Sequence, residues 1–213
     1  MKRRRRVGLL GGSFNPAHAG HLHISAQALE RLRLDEIWWL VSPHNPLKPA
    51  AGMAPFADRV ATARRLAHDP RIRVSDAEQR LGTRFTVDSV RALKAHHPDC
   101  AFVWIMGADN LVQIPHWKSW RTLFRTVAIA VFARPTYAFR ALSGRAARRF
   151  RTARTPQVLA GTLANRPPPA WVFVRGPMSP VSATRIRAGH RRARRRIIGA
   201  DDAATETIGR SEP

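Results

Sequence analysis

The sequence predicts an α/β protein with a mostly parallel sheet and helices on both of its faces. Short apolar runs typical of buried strands alternate with longer stretches whose apolar residues recur at helical spacing. Strands separated by helices need crossover connections, and these favour parallel pairing. The strands are predicted at residues 7–10, 36–41, 72–74, 101–106, 127–132 and 171–174.

The helices follow from apolar spacing and from signals at their ends. Leu22, Ala26 and Leu29 recur about every 3.6 residues in the first helix, and Pro55 suits the first turn of the second. An Arg- and Ala-rich segment, residues 140–154, is a candidate for a basic surface helix. The other helices are predicted at residues 20–32, 55–67, 86–96 and 184–195. Ligands of such sheets bind beyond the carboxyl ends of the strands, so functional motifs are expected directly after strands.

The length of 213 residues predicts one domain with short terminal additions. We place a basic extension at residues 1–6, the folded domain at residues 7–196 and a tail at residues 197–213. No run of about 18 apolar residues occurs, so neither a transmembrane helix nor a membrane partner is expected. The single cysteine, Cys100, can form no internal disulfide, and the expected compartment is the cytoplasm.

The charge of the chain is unusual. Lys and Arg total 37 against 14 Asp and Glu, which gives a formal net charge of +23. Such a field attracts polyanions, so nucleic-acid binding stays open as an alternative function. A compositional preference for Arg is the simpler interpretation, because only four of the 37 are Lys. The Arg-rich runs at residues 2–6, 145–154 and 191–196 contain one aromatic residue, Phe150, and this disfavours nucleic acid as a partner.

The strongest motif is the segment 11–21, Gly-Gly-Ser-Phe-Asn-Pro-Ala-His-Ala-Gly-His. It lies between a predicted strand and a predicted helix. Its glycines let the backbone approach a ligand closely, and the helix start offers free N–H groups that suit a phosphate. His18 and His21 bring two imidazoles to that helix start. No cysteine or carboxylate lies nearby at zinc-ligand spacing, so no metal site is predicted.

A second motif lies near the other end, at residues 179–187. Ser182 or Thr184 can cap a helix, and Arg187 lies one turn inside it. Hydroxyls, free N–H groups and a guanidinium together make a second phosphate site.

Together the two motifs resemble the signatures of the HxGH nucleotidyltransferase superfamily. The second motif resembles I-S-S-T-x-I-R, with Ala183 in place of the second Ser. Four segments between them resemble the bacterial nicotinate-nucleotide adenylyltransferases, in the same order along the chain. These are residues 74–78, residues 85–89, residues 107–111 with Trp117, and residues 131–135. The family's aromatic residue after that tryptophan is replaced here by Lys118.

The resemblance implies a Rossmann-like, doubly wound fold. It also implies adenylyl transfer from ATP to nicotinate mononucleotide, giving nicotinate adenine dinucleotide and pyrophosphate in NAD biosynthesis. Mg²⁺ is the implied cofactor, bound mainly through the ATP phosphates. Other branches of the superfamily, which use the amide mononucleotide or phosphopantetheine as acceptor, stay open as alternatives, and the oligomeric state is not indicated.

The resemblance further implies roles for individual residues. The residues expected to take part in catalysis are His18, His21 and Arg187. The ATP contacts are expected from Gly11, Gly12, Ser13, Phe14, His18, His21, Gly107, Asp109, Ser182, Thr184 and Arg187. The mononucleotide contacts are expected from Ser13, Lys48, Thr86, Trp117 and Arg134. Within that last set, Thr86 and Trp117 form the pyridine site, and Lys48 and Arg134 reach phosphate.

Overall fold

The computed structural model describes residues 3–43 and 52–176 of the chain, all within one unit that spans residues 1–180. A second unit, residues 181–213, lies outside the described residues. Within the described residues, seven strands form one sheet in which every recorded pairing is parallel. The strands are β1 (Arg5–Gly12), β2 (Glu36–Val41), β3 (Ile72–Ser75), β4 (Cys100–Gly107), β5 (Ala128–Phe132), β6 (Arg154–Thr155) and β7 (Trp171–Val174). Their order across the sheet is β3-β2-β1-β4-β5-β7-β6.

In the described part of the chain, eight α-helices lie between these strands. They are α1 (Ala19–Arg31), α2 (Phe56–Leu66), α3 (Ala77–Arg80), α4 (Thr86–His96), α5 (Ala108–Gln113), α6 (Trp120–Thr126), α7 (Ala138–Leu142) and α8 (Arg145–Arg149). Three 3₁₀ segments complete the described part: Ile114–His116, Arg151–Ala153 and Gln157–Asn165. None of the helices described here is both long and apolar enough to cross a membrane.

The sheet has a hydrophobic core on each face, because successive side chains of a strand point to opposite sides. In β2, Trp38 and Leu40 join one core, whereas Ile37 and Trp39 join the other. The first core is closed by α4 and α6, and the second by α1 and α2. The prediction of an α/β protein with a parallel sheet covered on both faces is confirmed.

The predicted elements lie where the sequence placed them, to within two residues at each described end. The inward face of α4 is confirmed, since Val87, Val90 and Leu93 are buried. The candidate basic helix at residues 140–154 is instead two short helices, α7 and α8, separated at Gly144 and followed by a 3₁₀ turn. Both bury alanines, Ala141 in α7 and Ala146 and Ala147 in α8, so this segment also has an apolar side. The predicted helix 184–195 and the tail 197–213 lie outside the described residues.

The N-terminal basic residues are partly built into the sheet. β1 begins at Arg5, two residues before the predicted strand, so Arg5 and Arg6 belong to it. The Asp35 carboxylate accepts hydrogen bonds from the Arg6 backbone N–H at 2.7 Å and from the Arg6 guanidinium at 3.0 Å. Arg3 adds a bond at 3.1 Å. The predicted boundaries of the folded domain stay predictions.

We expect Asp35→Asn to lower the free energy of unfolding by about 1 kcal/mol at pH 7. Partial burial raises the pKa of Asp35, but the hydrogen bonds from Arg6 and Arg3 outweigh it, and the pKa lies well below its ordinary value. A depressed carboxyl pKa stabilises the folded state above the pKa of the unfolded chain, which is about 4. The difference between wild type and variant should therefore shrink as the pH falls below about 4.

Urea unfolding at pH 7 and at progressively lower pH measures this difference. Glu30→Gln, at an exposed position of α1, is the control and should show no such dependence. An equal loss of stability for Asp35→Asn at every pH would contradict the assignment.

Candidate active site

The site is positioned by the order of the strands. β1 and β4 are neighbours, but the chain builds the sheet outward from them in opposite directions, through β2 to β3 and through β5 to β7. Such a reversal leaves a crevice beyond the carboxyl ends of the two strands. Gly11 and Gly12 end β1, and Gly107 ends β4. The predicted glycine motif therefore lies at the crevice.

The two glycines that end β1 have different neighbours. A Cβ at Gly11 would lie 2.9 Å from Cζ2 of Trp104, so the missing side chain lets this indole lie against β1. A Cβ at Gly12 would first meet the Phe14 ring at 3.4 Å, which is close to an ordinary contact. Gly11 is thus required by the packing of the protein itself, whereas Gly12 leaves room that a ligand can use.

The turn after β1 is a tight one. Phe14 has φ of +47°, in the left-handed region that costs a non-glycine residue free energy. Phe14 is 1% exposed, and its ring stacks on Trp39 at 5.2 Å and packs at a tilt against His21 at 4.5 Å. Burial of the ring holds the turn in place. Because the whole residue is buried, the predicted ATP contact of Phe14 stays a prediction.

The two histidines form a reciprocal cap at the start of α1. His18 is the N-cap residue, and its Nδ1 accepts the Gly20 N–H at 3.1 Å. Nδ1 of His21 accepts the His18 N–H, also at 3.1 Å. The two rings lie 4.0 Å apart. His18 is only 7% exposed and His21 is half-buried.

This capping fixes the hydrogen-bonding role of each ring. A ring nitrogen that accepts a backbone N–H carries no proton, so the proton of each neutral imidazole lies on Nε2. Both rings can therefore donate from Nε2 while Nδ1 holds the helix start. Two such donors at the positive end of a helix dipole favour an anionic oxygen.

A buried arginine holds the loop beside these histidines. Arg59, in α2, is 3% exposed and donates to four backbone carbonyls. Nη1 reaches the Ser13 and Ser42 oxygens at 2.6 and 2.7 Å, which ties the loop after β1 to the loop after β2. Sequence reasoning missed this role, because backbone carbonyls as partners leave no pattern in the sequence.

A cavity of about 240 Å³ opens at the same edge of the sheet. Of the predicted site residues, the structure brings Gly11, Gly12, Ser13, Thr86 and Trp117 to its wall. The Trp117 ring packs edge-on against Trp104 at 6.4 Å, and Thr86 is the first residue of α4. The other lining residues, which sequence reasoning did not assign to the site, are Ser42, Glu78, Arg84, Phe85, Trp104, Asn110, Gln113, His116 and Lys118.

Glu78 is a buried carboxyl group in the wall of this cavity. It is 7% exposed and accepts a hydrogen bond from the Ser89 hydroxyl at 3.0 Å. Burial raises the pKa of Glu78, an effect that the bonds from Ser89 and Ser42 oppose. Ser42 follows β2 and Ser89 lies in α4, so Glu78 joins the two elements that form one side of the cavity.

The remaining described site residues form a separate cluster at the ends of β4 and β5. Nε of Arg134 lies 3.1 Å from Oδ1 of Asp109, at the start of α5. A Cβ at Gly107 would collide with both side chains, so the glycine lets them meet in this arrangement. None of these three residues lines the cavity. The predicted site residues Lys48, Ser182, Thr184 and Arg187 lie outside the described residues, as does Ala183.

Comparison with known proteins assigns the chain to a family. The family described as cytidylyltransferase-like matches residues 9–189. A protein of Parvibaculum lavamentivorans is 53% identical over 182 residues, which cover 85% of this chain and 90% of the relative. A protein of Cereibacter sphaeroides is 54% identical over the same length and share of this chain, with 96% of the relative covered. Both are called probable nicotinate-nucleotide adenylyltransferases.

The chain belongs to the nicotinate-nucleotide adenylyltransferase family. It is therefore a nucleotidyltransferase, and the resemblance found in the sequence is confirmed. The fold is also that of the Plasmodium falciparum nicotinic acid mononucleotide adenylyltransferase solved with NaAD, with a TM-score of 0.66. That structure is 17% identical, and the match covers 86% of this chain and 83% of the other.

We expect the two glycine variants to separate stability from activity. Gly11→Ala should lower the free energy of unfolding by about 1–3 kcal/mol, because the new Cβ displaces the Trp104 indole. Gly12→Ala should fold with nearly wild-type stability and lose at least about tenfold in kcat/KM, because its Cβ occupies space at the crevice. Thermal unfolding and pyrophosphate release measure the two effects. Wild-type kcat/KM for Gly12→Ala would show that no ligand approaches this backbone.

We expect His21→Ala to lower kcat by about 10²–10³, the usual cost of removing a charge-stabilising donor. His18→Asn should also lower kcat but keep the fold, because Asn caps a helix well. His18→Ala should in addition lose about 1 kcal/mol of stability, because alanine cannot cap. His68→Ala, at an exposed position, is the control. Near-normal turnover of His21→Ala would remove this residue from the reaction.

Proposed function

We propose that this chain transfers the adenylyl group of ATP to nicotinate mononucleotide, which yields nicotinate adenine dinucleotide and pyrophosphate in NAD biosynthesis. The observation that carries the proposal is the meeting of two sites at one crevice. One is the anion-binding helix start with His18 and His21, and the other is the cavity lined by Thr86 and Trp117. Family membership supports the same reaction.

In the proposed reaction, the phosphate of the mononucleotide attacks the α-phosphorus of ATP. A new P–O bond forms, the bond between the α-phosphorus and its bridging oxygen breaks, and the electron pair leaves with pyrophosphate. The attacking phosphate is anionic at neutral pH, so no strong general base is required. Catalysis then depends on positioning and on donors placed where charge develops. The Nε2–H groups of His18 and His21 suit this role, with His21 assigned to the α-phosphate.

The pyridine ring is assigned to the cavity. The nicotinate ring of the mononucleotide is cationic, and a cation binds well over an indole such as Trp117. The backbone N–H groups at the start of α4, beside Thr86, suit the ring carboxylate. Trp104 supports this arrangement, since it packs against Trp117 on one side and against β1 on the other.

The ATP ribose is assigned to the end of β4. The Asp109 carboxylate can accept hydrogen bonds from ribose hydroxyls, and its ion pair with Arg134 orients it. Arg134 then acts on the ATP ribose by orienting Asp109. The resemblance implies in addition a contact of Arg134 with the phosphate of the mononucleotide. Ser182, Thr184 and Arg187 for the triphosphate, and Lys48 for phosphate, stay proposals from the sequence alone.

Mg²⁺ is proposed as the cofactor. No group of three His, Cys, Asp or Glu side chains suited to a metal ion occurs among the described residues. The described site offers imidazole and backbone N–H groups, which bind phosphate oxygens rather than Mg²⁺. The ion would therefore be held by the ATP phosphates and by water. When bound, it neutralises charge on the departing pyrophosphate. The cytoplasm is the proposed compartment, because it supplies nucleotide substrates and keeps a free thiol such as that of Cys100 reduced.

A pyrophosphate-release assay with ATP and three acceptors tests the proposal. Nicotinate mononucleotide should be preferred over its amide by about 5- to 150-fold in kcat/KM, because the amide leaves a buried donor unsatisfied at a cost of about 1–3 kcal/mol. Phosphopantetheine should give no release. Equal values for acid and amide would overturn the acid preference, and no release with either pyridine nucleotide would overturn the proposed function. The His21→Ala variant controls for contaminating activity.

A further inference from the structure

Two cations stand at the mouth of the cavity that the proposed function assigns to the pyridine ring. Nζ of Lys118 lies 4.4 Å from the centre of the Phe85 ring, and Cζ of Arg84 lies 5.9 Å from it. All three residues line the cavity, as do Trp117 and Thr86. A cation over an aromatic face is attracted by the ring, so Phe85 holds the Lys118 ammonium close to the opening.

Lys118 also bridges the two walls. Its ammonium lies 3.3 Å from Oδ2 of Asp88, in the first turn of α4, whereas its own backbone follows Trp117. The Lys118 and Asp88 side chains are 51% and 38% exposed. The pair therefore sits at the rim, where the ammonium can shift between Asp88 and an incoming anion at little cost.

We propose that Lys118 is a specificity-determining residue that favours a pyridine nucleotide with a ring carboxylate over one with a ring amide. The inference rests on the proposed function and adds to it a charged side chain that distinguishes the two ring substituents, beside the backbone N–H groups at the start of α4. Attack on ATP requires the phosphate of the mononucleotide to lie near His18 and His21, so the ring end of the molecule points toward Thr86 and Trp117. The cation at that end meets the ring substituent rather than the phosphate.

The acid and the amide differ in charge at this substituent and carry the same phosphate. A positive charge within several ångströms therefore stabilises the acid selectively, by an amount that depends on solvent screening. Asp88 acts in the opposite sense, because its carboxylate holds the ammonium and repels a second carboxylate. Removing Lys118 and removing Asp88 should hence change the preference in opposite directions, which a purely structural role of the pair does not predict.

The test compares kcat/KM for nicotinate mononucleotide and for its amide, with ATP saturating. Lys118→Gln should lower the acid-to-amide ratio by about 3- to 10-fold, and Asp88→Asn should raise it by about 2- to 5-fold. Lys118→Arg should keep the wild-type ratio within about twofold, because it retains the charge. Added salt should reduce the ratio in the wild type and less so in Lys118→Gln. The KM for ATP should stay unchanged in all three.

Lys94→Gln is the matched control. Lys94 lies in the last turn of α4 and donates to the Thr126 carbonyl, so its loss removes one positive charge from the helix that carries Asp88, at a position that does not line the cavity. The ratio should not change. A Lys118→Gln enzyme with the wild-type ratio, or one that loses both substrates equally, would overturn the inference alone. A wild-type protein that uses neither pyridine nucleotide would overturn the proposed function and the inference with it.

Discussion

The parallel pairing of β1 with β2 on one side and with β4 on the other decides where this chain can bind a ligand. Both ladders bring strand ends to the same edge, and the chain leaves that edge in opposite directions. The end of β1 at Gly12 and the start of α1 lie at the crevice that results. The backbone topology thus places the proposed phosphate site at this edge of the sheet, independently of the side chains.

The local shape at that edge is fixed by interactions that do not reach a ligand themselves. Arg59 binds the carbonyls of the loops after β1 and β2, and the buried Phe14 ring packs against the His21 ring. The reciprocal cap then sets the proton on Nε2 of each imidazole. Donors held in this way need no rearrangement when charge develops, which is the basis of electrostatic preorganisation.

The sequence predicts the long elements and the first motif well, because both depend on local patterns. The apolar runs of β2 and β7 and the spacing in α4 predict the bounds that the structure shows. The short helices α3, α5 and α6 were missed, since four to seven residues carry too little periodicity. The burial of His18 and the carbonyl partners of Arg59 are also not predicted by the sequence, because both depend on which loops meet in space. The pairing of Asp109 with Arg134 joins residues 25 positions apart and leaves no local signal.

The positions of the carboxylates suggest how the excess positive charge relates to function. Residues 110–176 contain 12 Lys and Arg but no Asp or Glu. Three carboxylates at the carboxyl edge are paired with a cation, Asp76 with Arg80, Asp88 with Lys118 and Asp109 with Arg134, while Glu78 is buried against hydroxyls. Asp35 and Glu36, by contrast, bind arginines at the opposite edge of the sheet, where β1 and β2 begin. Negative charge near the crevice is therefore compensated locally, and the remaining field attracts anions, a class that includes both proposed substrates. A nucleotidyltransferase with two anionic substrates thus gives this charge a use that does not require nucleic acid.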